Sequence, residues 1–183
     1  FGRRFEGLRG VRIVQGRFED LQPHDCFVTA GNAFGIMTAG IDAAVVRFFG
    51  EGLMAQVQQR ILNDYFGEQP VGTAFVLETG STAVPFVAHA PTMRVPGNID
   101  GTDKVYSATW AALLAVQAFN NANGHRIETV AFPAMGTGFG GVPFDEAARQ
   151  MAAAWRSYLE PPHRLDWEFV TERHRAVCYD GSR

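Results

Sequence analysis

Residues Thr129 to Gln150 read TVAFPAMGTGFGGVPFDEAARQ. The stretch opens with a short apolar β-type run, Thr129 to Ala134, and passes into Gly136-Thr137-Gly138-Phe139-Gly140-Gly141. Pro143 follows and opens a helical pattern with Asp145 and Glu146 in its first turn. Proline suits the first helical position because its missing N–H would be unpaired there anyway. Glycines in this density leave the backbone free to bend and present its N–H groups unshielded by side chains. A strand, a bare loop and a helix N-terminus in succession make a cradle for an anion, with the positive end of the helix dipole behind it. The pattern points to a phosphorylated ligand. Its plainer reading is a glycine-rich strand-to-helix turn with no ligand.

Working outward, the chain alternates strands and helices. Val11 to Val14 alternates apolar with polar and predicts a short strand ending at Gly16. Cys26 to Ala30 is a nearly continuous apolar run, as expected of a strand buried on both faces. A small-residue loop, Gly31 to Gly40, leads into helical spacing at Ile41, Ala44, Val45, Phe48 and Phe49, and Gly50 stops it. A second helix runs from Leu53 to Tyr65. Thr73 to Leu77 and Phe86 to Ala90 are strands, and two prolines keep the loop from Pro91 to Asn98 out of helix. A long helix carries Val105, Ala108, Ala112, Leu113, Val116 and Phe119 on one stripe. After the helix opened by Pro143, which runs to about Tyr158, Trp167 to Thr171 is expected as a strand, and Ala176 to Tyr179 as a further one. The alternation predicts an α/β fold with a mainly parallel sheet covered on both faces, in a single domain over 1–183.

Bulk properties narrow the function. Apolar residues make up 46% and charged residues 19% of 183, as in ordinary globular chains. A formal net charge of −3 provides no broad surface for duplex nucleic acid, though a nucleotide-sized ligand needs only a local cradle. Cys26 and Cys178 lie far apart, and no Cys/His spacing indicates zinc; no metal or cofactor is expected. No run reaches the ~18–20 apolar residues of a membrane span, so the expected location is cytoplasmic. The chain begins at Phe1, which fits either a trimmed form or a piece of something longer.

Ligands on parallel sheets bind in the crevice beyond the carboxyl ends of the strands. Two loops with unusual small-residue content leave strand ends and run into helices: 31–40 and 136–142. Two cradles facing one crevice suit a diphosphate better than a single phosphate. Gly136, Gly138 and Gly141 also spell G-x-G-x-x-G. The dinucleotide fold places that motif in its first strand–helix unit, with an acidic residue about 20 positions later. Here it comes late, and Pro161-Pro162 stands where the acid is needed, so a nicotinamide oxidoreductase is set aside. No G-x-S-x-G elbow or Walker lysine is present, which removes serine hydrolase and P-loop chemistry.

Val28-Thr29-Ala30-Gly31-Asn32 followed by Thr38-Ala39-Gly40-Ile41-Asp42-Ala43-Ala44 resembles the V-N-A-A-N and G-G-G-V-D-x-A of the macrodomain family. Phe86 to Ala90 resembles that family's strand ending in apolar–His. Ala131-Phe132-Pro133-Ala134 through Pro143 resembles its A-F-P-A-I-G-T-G-x-x-G-x-P. The likeness runs in order from Val11 to about Trp155. It implies a three-layer α/β/α domain with a mixed, mostly parallel central sheet that binds ADP-ribose, free or on a modified protein or nucleic acid.

By position, Gly136, Thr137, Gly138, Phe139 and Gly140 would wrap the diphosphate and distal ribose from one side, and Gly40, Ile41 and Ala43 from the other. Ala30, Gly31 and Thr38 would line the same site, and Phe18 would offer a backbone N–H to the base. Asn32 would bond the distal-ribose hydroxyls; without the resemblance it reads as a turn residue. Asp42 would position or activate a water at the anomeric carbon, where a carboxylate has clear chemical use; otherwise it complements a helix dipole. The resemblance thus implies an ADP-ribosyl hydrolase, acting on a protein or nucleic-acid adduct or on a small derivative of ADP-ribose, with a non-catalytic ADP-ribose reader as the alternative.

There are three departures from the family pattern. Arg17 stands where many members carry an aspartate for the adenine amino group, with Asp20 nearby. Thr38-Ala39 replaces two glycines. Gly140 stands where an aromatic ring is common, which leaves Phe139 as the only ring in the loop. His89 is expected to be a satisfied core histidine and Arg94 a solvated surface residue.

Overall fold

The computed structural model describes residues 1–124 and 126–178. Among them β1 (Cys26–Thr29), β2 (Phe75–Glu78), β3 (Phe86–His89) and β4 (Val130–Ala131) form one sheet in the order β2-β3-β1-β4. β1 runs parallel to β3 and to β4, while β2 is antiparallel to β3 at the edge. The sheet is therefore mixed and mostly parallel, as the alternation of elements requires.

Every residue of β1 and of β3 is buried, which explains why both read as continuous apolar runs. Alternate residues serve opposite layers. Cys26, Val28, Phe86 and Ala88 pack with Val105, Ala108, Ala112 and Met151, which belong to α4 (Lys104–Asn123) and α5 (Phe144–Leu159). Phe27 and Val87 face the other way, toward Val45, Leu53, Val57 and Ile61 of α2 (Gly40–Phe49) and α3 (Gly52–Tyr65). Helices thus cover both faces, giving three layers. The remaining helices are α1 (Gly2–Phe5) and α6 (Trp167–Val177).

Three local expectations need correction. Val11 to Val14 forms no strand; Ile13 and Val14 are 46% and 52% exposed, so the alternation has no buried face to serve. Trp167 to Thr171 and Ala176-Val177 are helix, not strand, while Tyr179 lies outside the described residues. β-propensity in Trp-Glu-Phe-Val-Thr loses to an N-cap: the Asp166 carboxylate accepts from Phe169 N–H at 2.9 Å. At the other end Arg149 donates to the carbonyls of Ala176 and Val177. Pro143, finally, is the N-cap of α5 and not its first helical residue, because its ψ of 141° is extended.

β4 contributes only two residues, so its place depends on its flank. One Asp25 carboxylate oxygen accepts from Glu128 N–H at 2.8 Å, Thr129 N–H at 2.8 Å and the Thr129 hydroxyl at 2.9 Å. Burial raises the Asp25 pKa, but these hydrogen bonds outweigh it and hold the carboxyl below its ordinary value. The clamp fixes the entry to β4, and through it the glycine loop beside β1. Its contribution is complete above the unfolded carboxyl pKa and disappears as pH falls through the depressed folded value. Asp25→Ala is expected to cost about 1–3 kcal/mol near neutrality. In thermal melts at several pH values the gap from wild type should close toward pH 2; a pH-independent gap would show that the charge is not what holds β4.

Candidate functional site

Because β1, β3 and β4 are mutually parallel, their carboxyl ends lie on one edge of the sheet, and three loops leave there together. The loop after β1 runs alongside the loop after β3: Thr92 N–H donates to Gly31 O at 3.1 Å, and Ala33 N–H to Met93 O at 3.0 Å. Ile99 N–H donates to Gly140 O at 2.8 Å, joining the end of the β3 loop to the glycine loop after β4. The two small-residue loops also meet directly. A Cβ on Gly40 would stand 3.7 Å from the Phe139 ring. Residues 31–42 and 136–141 therefore meet at one edge of the sheet and bound one candidate crevice.

The glycine loop is a tight coil. Gly141 N–H donates to Gly138 O at 3.0 Å, and Val142 N–H to Gly136 O at 3.1 Å. Gly136 holds φ +74°, and a Cβ there would stand 2.7 Å from Val105. A Cβ on Gly140 would fall 2.3 Å from Gly136 O, so the departure from an aromatic at this position is a packing requirement of this loop. Gly138 is different: nothing lies within 4 Å of its Cβ position. It is exposed, with the Thr137 hydroxyl turned back to Ala134 O at 2.9 Å and Phe139 62% exposed beside it. The open floor of the cradle is at Gly138.

Across the crevice, Thr38, Ala39 and Gly40 are exposed at the start of α2. Ala39 is the N-cap and provides no side-chain cap, so the positive end of the α2 dipole is left to whatever enters. Ile41 and Ala43 are half-buried, as is Ala30 at the end of β1. Asn32 is buried, and its amide braces its own loop: Oδ1 accepts from Phe34 and Ile36 N–H, and Nδ2 donates to Ile36 O at 2.8 Å. The turn reading describes what its side chain does here.

Asp42 is buried in the first turn of α2, and its Oδ1 has no partner among the described residues. Burial pushes its carboxyl up to about 7. His89 is fully buried at the end of β3 and only half satisfied: Nδ1 meets Gln69 Oε1 at 2.6 Å, while Nε2 is unpartnered. Sequence reasoning passed over Gln69. A polar residue in a loop carries no signal of burial until the fold places it behind a histidine.

Other candidates fall outside the crevice's chemistry. The Phe18 ring is core, 4.2 Å from Phe27 between ring centres, leaving its backbone as the only part available for recognition. Arg17 is exposed beside Glu19 and Asp20 at 3.7 Å. Arg94 pairs at the surface with Glu68 at 2.8 Å. An apolar depression of about 380 Å³ lies elsewhere, lined by Trp110, Leu114, Tyr158, Pro161 and Leu165. It has no glycine cradle or carboxylate. Among the described residues no group of three His, Cys, Asp or Glu side chains could hold a metal ion, and no helix is long and apolar enough to cross a membrane.

Known proteins resemble this chain in sequence and in fold. A protein of Aquifex aeolicus is 32% identical over 148 residues, covering 81% of this chain and 82% of its own length. A variant of the Oceanobacillus iheyensis macrodomain with ADPR superposes with a TM-score of 0.64 at 21% identity, covering 75% of this chain and 72% of that one. The macrodomain of Thermus aquaticus DarG superposes at 0.62 with 22% identity, covering 79% and 89%. At such identities the structures speak to the fold alone. The family model described as Macro domain matches residues 28–151, which contain all three crevice loops, and the chain belongs to that family.

Proposed function

We propose that the crevice binds ADP-ribose and that the protein hydrolyses ADP-ribosyl adducts. The observation that carries this reading is the contact between Phe139 and Gly40, which sets an open glycine coil opposite an uncapped helix N-terminus. Two clusters of backbone N–H groups facing one space suit a diphosphate, each helix end contributing on the order of 0.3–2 kcal/mol. The Oceanobacillus iheyensis neighbour of the same fold holds ADPR, which supports this ligand for this chain. Gly136, Thr137, Gly138, Phe139 and Gly140 take the diphosphate and distal ribose from one side, and Thr38, Gly40, Ile41 and Ala43 from the other. Ala30 and Gly31 form the floor, and the Phe18 backbone lies toward the base.

Asp42 serves as the base. A carboxylate poised near neutrality is suited to take a proton from water attacking the anomeric carbon. Asn32 braces the loop through Phe34 and Ile36 on the way from β1 to α2. A second reading, a reader that binds ADP-ribose on a modified partner without cleaving it, draws support from two observations. Asn32 spends its amide internally, and a buried Asp42 carrying a proton is a weak base.

Three outcomes test these assignments. Calorimetric titration should show ADP-ribose binding with preference over NAD and AMP, and Gly138→Glu should abolish it by filling the cradle with bulk and negative charge. Retained affinity in that variant would contradict the cradle. Asp42→Ala should lower release of ADP-ribose from modified protein or DNA by about 10²-fold or more while affinity changes little; equal loss of both, or no release by wild type, would select the reader. Asp42 also carries a stability cost. Its folded pKa lies above the unfolded value, so its burial costs little below pH 4, and the penalty grows as pH rises from about 4 to about 7, where it levels off. Asp42→Asn should therefore stabilise the ligand-free protein at pH 8 by on the order of 2–4 kcal/mol, seen as a higher Tm, and change its stability little at pH 4.

A further inference from the structure

The end of α5 and the whole of α6 build a second concave site, away from the sheet edge. Pro161 and Pro162 stop α5, because the residue before a proline is pushed out of helical backbone, and Glu160 stands at φ −127° and ψ 72°. The chain then turns back, and the Asp166 cap starts α6. Val177 is the one buried residue of α6, and Arg149 donates to the carbonyls of Ala176 and Val177. The helix is thus anchored at its C-terminal end. Between its first turns, α4 and the end of α5 lies the depression of about 380 Å³, and no residue of the crevice loops lines it.

Its walls are aromatic and aliphatic. Trp110 and Leu114 of α4, Tyr158 of α5 and Phe169 of α6 line it, and Leu114 keeps 40% of its surface in water. Such walls alone ask only for something apolar.

The charge on the wall decides what kind. Arg173 is the one charged residue among those that line the depression. Its Nη1 donates to the Tyr106 hydroxyl at 3.1 Å, and its guanidinium lies 5.8 Å from the centre of the Trp110 ring and 5.0 Å from that of Phe169. Stacking on rings holds the plane of a guanidinium and leaves its edge N–H groups for a carboxylate. Among the described residues Arg173 has no carboxylate partner. Ser157, on the same wall, is 8% exposed, and its hydroxyl makes no hydrogen bond among the described residues. The Trp110 indole N–H, also on the wall, is likewise unpaired there. These groups can donate, and the exposed Gln117 amide at the rim can donate or accept. Aromatic walls often take a cation, but here the cation is the protein's own, and a second would be repelled.

We propose that this depression is a binding site for a small aromatic carboxylate, its ring among Trp110, Leu114, Tyr158 and Phe169 and its charge on Arg173, with the Ser157 hydroxyl as a further donor. The size selects a free small molecule over a protein segment: sites for small ligands begin at about 300 Å³, and this space holds one or two rings but no helix. The site is independent of the ADP-ribose reading, since it shares no residue with the crevice.

The test uses the full chain and two probes of one shape, 2-naphthoate and its uncharged amide. Calorimetric titration should show saturable binding of 2-naphthoate with a Kd below about 1 mM, and binding of 2-naphthamide about tenfold weaker or worse. In proton–nitrogen spectra the Trp110 indole signal should move with the acid. Arg173→Met keeps an apolar stem against Phe169 and removes the charge; it should weaken the acid about tenfold and leave the amide unchanged. Because that change also removes a contact of α6, Leu114→Glu provides the second variant. It sets a carboxylate in the wall from α4, leaves the contacts of Arg173 in place, and should weaken the acid by a similar factor. Gly138→Glu, in the crevice, should affect neither probe. Equal binding of acid and amide, binding that does not saturate, or an acid indifferent to Leu114→Glu overturns the proposal. Loss of the acid in Gly138→Glu overturns it too, by placing the probe in the crevice.

Discussion

Everything in this molecule depends on β1 being paired on both sides by parallel partners. Parallel pairing with β3 and β4 puts three carboxyl ends on one edge, and the loops that leave them have nowhere to go but beside one another. The pairing also continues past the strands, since Ala90 N–H donates to Thr29 O, Thr92 N–H to Gly31 O and Ala33 N–H to Met93 O. The β1 and β3 loops are therefore held as extensions of the sheet. A ligand entering this edge meets a floor that is already ordered.

The same constraint explains which residues can be large. Gly31, Gly136 and Gly140 are small because His89 and Asp42, Val105, and the Gly136 carbonyl respectively stand too close for a Cβ. Gly138 has open space, and its lack of a side chain leaves the cradle unobstructed. A glycine-rich loop thus contains two kinds of glycine, one demanded by packing and one free for function, and only neighbouring atoms tell them apart. Thr38-Ala39, which adds side chains on the facing loop, is tolerated because both residues lie exposed at the mouth of the crevice.

Electrostatically, the site is built by burial more than by charge pairing. Desolvation raises Asp42 and lowers His89, and no ion pair joins either of them among the described residues. The strong ion pairs lie at the periphery, as with Arg4 and Asp145 at the start of α5, or behind the core, as with Arg149 and Glu146. A buried carboxyl with an unpartnered oxygen beside an uncapped helix end is costly to keep in a folded chain, and the rest of the fold has to offset that cost.

The local grammar of the chain was sufficient for the fold class and for most of the alternation of elements. Apolar period, glycine density and strand-to-helix order are properties of neighbours in sequence, and they survive folding unchanged. It misled at Val11 to Val14 and at Trp167 to Val177, where β-propensity had no sheet edge to act on and an Asp166 cap decided otherwise. The pairing of Gly40 with Phe139, the bracing role of Asn32, the seating of His89 on Gln69 and the approach of His89 and Asp42 to Gly31 were decided by tertiary structure alone. Each depends on the distance between segments tens of residues apart, and that distance is set by strand register and helix packing, which no single segment encodes.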